Sequence, residues 1–252
     1  MKTAPIALQL YTVRDVLADD FAGTLKKIAD IGYAGVELAG SAGYSAQELR
    51  TMIGDLGLGI AGNHVGIEGL ETDLEAALDY NEALGNRVIV CPYMPEDRRR
   101  TGDDWRKAAD LFTEVGARCR DRGMSFAYHN HSFEFARFEG KTGLDILFDT
   151  ADPELVGSEL DLYWVLHGGE DPASYLRKLG SRVVLVHLKD MAAGEERAFA
   201  EVGEGIIDWP AVFEACEATS AGWYIVEQDI CARPSLDSAA ISLRNLLAMG
   251  LS

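Results

Sequence analysis

Short apolar segments recur along this chain, each followed by an amphipathic stretch, and that alternation most restricts what it can fold into. The strand candidates are Ile6–Tyr11, Gly35–Leu38, Gly59–His64, Arg87–Cys91, Ser125–Asn130, Val156–Asp161, Val183–Leu188 and Tyr224–Gln228. Each is rich in Val, Ile, Leu or aromatic residues, as strands buried on both faces are. The stretches between them have helical spacing. Phe21–Ile31 puts Phe21, Leu25, Ile28 and Ala29 on one face, Leu70–Leu84 repeats the pattern, and Asp104–Arg122 gathers Leu111, Val115 and Cys119. Asp208 and Asp171 precede Pro210 and Pro172 as helix starts, and Gly32, Gly57, Gly85, Gly123 and Gly180 mark stops. Eight β-then-α units predict a closed (β/α)₈ TIM barrel, one domain over residues 1–252.

Charge narrows the partners. The formal net charge is −18, which repels polyanions, so neither nucleic acid nor an anionic membrane is an expected partner. No stretch approaches the roughly 18 uncharged apolar residues of a membrane span. The opening MKTAPIALQLYTVRD lacks a long apolar core and a small-residue cleavage site, so no signal peptide is expected. Cys91, Cys119, Cys216 and Cys231 form no C-x-x-C pair and read as reduced thiols of a cytoplasmic protein. Gly203-Glu-Gly205 lacks the strand–helix context of a dinucleotide site and reads as a loop closing over the strand ends.

The strand ends carry the chemistry. FAYHNHSFE (126–134), VGSELD (156–161), VVLVHLKD (183–190) and WYIVEQD (223–229) each run apolar and stop at a polar residue. In a barrel such ends converge, presenting Glu134, Asp161, His187 and Glu227 to one point. Three carboxylates and an imidazole suit one divalent cation, Mn²⁺ foremost, with Co²⁺, Mg²⁺ or Zn²⁺ as alternatives. Asp190 is a candidate to fix the His187 tautomer. Gln9, Tyr11, Glu37, Asn63, His64, Tyr93, His129, His131 and Lys189 stand at the same end, and Arg14, Lys189 and Arg233 could hold an anionic or hydroxylated substrate. A solvated loop residue is the ordinary explanation for any one of these; the convergence of the later four argues for function.

The ordered stretches LQLYTVR (8–14), GYAGVEL (32–38), YHNHSFEF (128–135), ELDLYW (159–164), VHLKD (186–190), VGEGIIDWP (202–210) and VEQD (226–229) span nearly the whole chain. On them the chain resembles the sugar phosphate isomerase/epimerase superfamily, the xylose-isomerase-like barrels. The resemblance implies a divalent metal at the barrel mouth, and Asp161, His187 and Glu227 match the family's ligands. The family's first glutamate lies on the fifth strand, where this chain has Ala127, so Glu134, His129 or His131 would replace it. It also implies a sugar or keto-sugar substrate contacted by Gln9, Glu37, His64, Tyr93, His131, Trp164 and Arg233, and leaves a homo-oligomer open.

The implied reaction is proton abstraction α to a carbonyl, with the metal stabilising the enediolate. Glu227 is the expected base and Glu134, His129 or Lys189 the second acid/base. Isomerisation or epimerisation is the first outcome; dehydration or lysis of a keto-sugar or keto-glycoside is the alternative. A nuclease on the same barrel would need more histidines than the five present and a basic face. A non-catalytic sugar-binding barrel or complex subunit is the rival of another class.

Overall fold

The computed structural model describes residues 4–251; residues 1–3 and 252, the ends of the expected domain, lie outside them. Eight parallel strands close on themselves: β1 (Ile6–Gln9), β2 (Gly35–Leu38), β3 (Gly59–His64), β4 (Val88–Cys91), β5 (Ser125–His129), β6 (Val156–Asp161), β7 (Val183–Leu188) and β8 (Trp223–Val226). Sequential strands pair around the ring and β8 returns to β1, with Leu8 opposite both Val36 and Val226. Helices flank the ring, and the predicted (β/α)₈ barrel is the observed fold.

Two apolar layers follow from the two-residue alternation of a strand. Leu8, Val36, Phe126, Leu160 and Val186 face the helices in the main core. Ala7, Ala61, Val90, Ala127, Leu185 and Ile225 form a separate cluster within the barrel. Trp223 closes its base, and two glycines make room for the indole. A Cβ at Gly35 or Gly59 would stand 2.9 or 2.8 Å from the ring.

Differences from the expected boundaries have local causes. The first strand ends at Gln9, whose side chain accepts from Tyr11 N and starts a 3₁₀ turn over Leu10–Val13. The helix expected over 70–84 is two, Ile67–Thr72 and Leu74–Leu84, because Asp73 leaves helical geometry (φ −150°, ψ 53°) to cap the second. Asp208 and Asp171 cap their helices as expected. A small hairpin, Arg137–Phe138 against Lys141–Thr142, sits between β5 and β6 and was not anticipated.

Candidate active site

One alternation step beyond the inner apolar floor the side chains become polar. Ala7, Ala127, Leu185 and Ile225 are followed two residues later by Gln9, His129, His187 and Glu227, all buried. Glu37 on β2 and Glu159 and Asp161 on β6 complete the layer with no exposed surface. Glu37 reaches inward past Gly62, where a Cβ would stand 2.6 Å from Glu37 Oε1.

His187 sits at the centre. Its Nδ1 lies 3.0 Å from Glu227 Oε2 and its Nε2 lies 2.7 Å from Glu37 Oε2. Glu159 Oε2 is 3.2 Å from the same Nε2, 2.9 Å from His64 Nε2 and 3.0 Å from His129 Nδ1. Gln9 donates from Nε2 to Glu37 Oε2 at 2.7 Å. Nearer the mouth, fully buried Lys189 extends Nζ to Asp229 Oδ2 (2.6 Å), Glu227 Oε2 (2.8 Å) and Asp161 Oδ2 (3.0 Å).

Mutual attraction governs the protonation. Burial alone would strip the proton from His64, but Glu37 and Glu159 outweigh it and raise its pKa to about 10. His187 is likewise disfavoured by burial and lifted well above the usual histidine range by Glu159, Glu37 and Glu227. Burial opposes ionisation of Glu159, yet His187 and His64 hold it well below the carboxylate range. Lys189 stays protonated because Asp161, Glu227 and Asp229 overcome its desolvation. For His131, burial, then His129 and Lys189, outweigh the pull of Glu227 and push it down to about 2.

Two groups of ligand atoms converge closely enough to hold a cation, each with all atoms within 4.8 Å: His129, Asp161, His187 and Glu227, and His64, His129, Glu159 and His187. The donor types suit a divalent ion of intermediate hardness. Several buried atoms point the same way, since Glu37 Oε1, Glu159 Oε1, Asp161 Oδ2 and His129 Nδ1 lack a hydrogen bond. Two of these still have charged neighbours: Asp161 Oδ2 faces Lys189 and His129 Nδ1 faces Glu159, without hydrogen-bond alignment. The residues therefore fit a divalent cation.

Asp161, His187 and Glu227 stand together as expected; Glu134 stands elsewhere. The chain turns into a 3₁₀ segment, Phe133–Phe135, after β5. Glu134 is buried there, accepting from Tyr128 Oη at 2.7 Å and His131 N at 2.8 Å. Tyr128 stacks on Phe112 of the outer helical layer, so the carboxylate belongs to that side. His129 occupies the fourth place in the ligand group at the mouth. Asp190 also differs from expectation. It accepts from Gly203, Gly205, Ile207 and Met191 amides and from Trp209 Nε1, and so pins the loop over 203–209, while Glu37 and Glu159 are the carboxylates facing His187 Nε2.

A cavity of about 490 Å³ opens above the layer, with Tyr93, His64, His129, His131, Glu227 and Asp229 in its walls. Trp164 lies beside it, its ring 5.5 Å from that of His131 and 5.5 Å from Lys189 Nζ, and its Nε1 has no partner. Arg233 lies apart, paired with Glu201 at 3.1 Å and lining a different cleft. Glu159 and Asp229 are site residues the sequence reading missed. For Glu159 a signal existed: in SELD it shares a strand face with Asp161.

The model of the xylose isomerase-like TIM barrel family matches residues 25–246, and the chain belongs to that family. It is similar to the inosose dehydratase of Geobacillus kaustophilus, 26% identical over 81% of this chain and 79% of the relative. It also resembles that of Bacillus cereus, 29% identical over 51% of this chain and 48% of the relative. A sugar phosphate isomerase/epimerase structure from Parabacteroides distasonis superposes with a TM-score of 0.84 at 25% identity, covering 98% of this chain and 95% of the other. Among the described residues no helix is long and apolar enough to cross a membrane.

Proposed function

We propose that the protein is a divalent-metal-dependent enzyme that removes a proton α to the carbonyl of a polyhydroxylated ketone, a sugar or keto-sugar. The observation that carries this reading is the pairing of Glu227 with Lys189 at 2.8 Å, both buried at the cavity floor beside His187 and Asp161. Asp161, His187, Glu227 and His129 would hold the cation, Mn²⁺ the first expectation, which would supply Lewis-acid polarisation of the substrate carbonyl.

The chain's own groups do the rest. Burial disfavours the charge on Glu227, and Lys189 followed by His187 outweighs it and holds the carboxylate ionised well below the usual range, so it is unprotonated when substrate arrives. Lys189 is the acid at hand, and His129 is the second candidate. His64, Tyr93, His131 and Trp164 line or flank the cavity and orient the hydroxyls. Gln9 and Glu37 act through His64 and His187, holding the imidazoles in place. Glu134, through the His131 amide, shapes the wall instead of reaching the reacting atoms.

Return of the proton to carbon gives isomerisation or epimerisation, the outcome suggested by the likeness to the isomerase/epimerase structure. Delivery of a proton to a leaving hydroxyl gives dehydration, the reading favoured by similarity to the inosose dehydratases. The test is NMR in D₂O with a panel of ketoses and inososes and added Mn²⁺. Solvent deuterium at the α-carbon without loss of water assigns isomerase chemistry, loss of water assigns a lyase, and no exchange with any ketone contradicts the proposal.

A further inference from the structure

The cavity above the polar layer adjoins a second one. This annex is an open cleft of about 390 Å³ that shares Tyr11, Ala39 and Gly40 with the first. A Cβ at Gly40 would meet nothing within 4 Å, so the passage is open there. Leu10, Leu17, Phe21, Leu38 and Tyr44 make the annex walls, which are apolar or aromatic, and Phe21 and Tyr44 pack ring to ring at 4.8 Å.

Arg14 is the annex's single charged residue, and it is engaged. Its guanidinium donates to the carbonyls of Tyr11 and Asp229, both at 2.7 Å, and lies 4.0 Å from the Tyr11 ring centroid. It fastens the shared wall to the segment after β8 that carries Asp229. The rim is held under strain. Ala42, which lines the annex, has φ 49°, a left-handed conformation costly for a residue with a Cβ, between Gly40 and Gly43 at 89° and 83°.

The mouth alone can enclose a single hydroxylated ring. A largely apolar cleft of comparable size opening from it, with its cation bound to main-chain carbonyls, adds nothing for a small polyol. Resting on the function proposed above, we infer that the substrate has two parts: a hydroxylated ketone ring at the strand ends and an aromatic or alkyl substituent, linked through one ring oxygen, that lies in the annex. Continuity through Tyr11, Ala39 and Gly40 makes the annex occupant part of the same molecule.

Binding of 2-keto-myo-inositol and of its mono-O-benzyl ethers, one at each ring position, to the metal-loaded protein tests this by titration calorimetry. At least one ether should bind about tenfold more tightly than the parent ring, the return on burying part of a phenyl group. Ala18→Trp, which fills the annex from its exposed edge, and Leu17→Asp, which makes it polar, should each bring the ether-to-parent ratio to about one. Two results overturn the inference while leaving the proposed function standing: no ether gains over a parent ring that binds, or a gain survives both substitutions. Failure of every ring compound to bind overturns the inference, while the proposed function stands or falls on the deuterium-exchange panel. Circular dichroism of the variants, with parent-ring affinity as an internal reference, separates misfolding from loss of the subsite.

Discussion

The floor and the mouth of the barrel are built from the same strands, two residues apart, and they meet opposite demands. The floor of Ala7, Ala61, Val90, Ala127, Leu185 and Ile225 is apolar and closed by Trp223. The layer above holds Glu37, Glu159, Asp161, His187 and Glu227 out of water, with several buried oxygens lacking hydrogen bonds. Burying such groups is expensive unless each charge is matched. Lys189 and the imidazoles of His64 and His187 match them in part, and a divalent cation would take the place of the proton on any imidazole that binds it. The floor therefore answers for stability, and the layer above it trades stability for chemistry.

Substitutions in the two layers should separate those roles. Glu227→Gln removes the proposed base and an anionic ligand while keeping the shape; turnover should fall by about three orders of magnitude or more with an unchanged far-ultraviolet spectrum. Retained turnover would remove Glu227 from the mechanism. Leu185→Ala on the floor should do the reverse, costing about 2–5 kcal/mol in denaturant unfolding with little change in metal affinity. Equal loss of both would mean that the layers are not separable.

Glu159→Gln sharpens the contrast within the mouth. It touches His64, His129 and His187, so its loss should weaken metal affinity about 10- to 100-fold through ligand orientation. The smallest expected effect is at Glu134. Burial raises its pKa from 4.5 to about 8, partly countered by Tyr128. A raised folded value means its contribution to stability is fully present below the unfolded pKa and is lost as pH rises through the folded one. Glu134→Gln should therefore flatten the decline in melting temperature between about pH 5 and 8, by a few degrees at the upper end. An unchanged slope would show that Glu134 ionises normally.

The barrel was legible because its signal is redundant: eight apolar runs, capping aspartates and glycine stops all agree. Asp161, His187 and Glu227 were legible for a related reason, since each ends an apolar run and the topology makes those ends converge. Glu159 was hidden by its neighbours, read as the interior of a strand when its face was the informative property. Glu134 was misplaced because sequence gives no direction to a 3₁₀ turn, and Tyr128 draws the carboxylate outward. Asp190 was credited to His187 because they are close in sequence; most of its partners are N–H groups of a loop more than ten residues away.

The claim that the buried strand ends form a cation site is tested most directly by elemental analysis of the protein after chelator dialysis and reloading with Mn²⁺, beside Asp161→Asn treated identically. A stoichiometric ion in the parent, lost or strongly depleted in the folded variant, is the predicted result. A folded parent that takes up no Mn²⁺, Co²⁺, Mg²⁺ or Zn²⁺, or a variant that retains the parent's full complement, would contradict it.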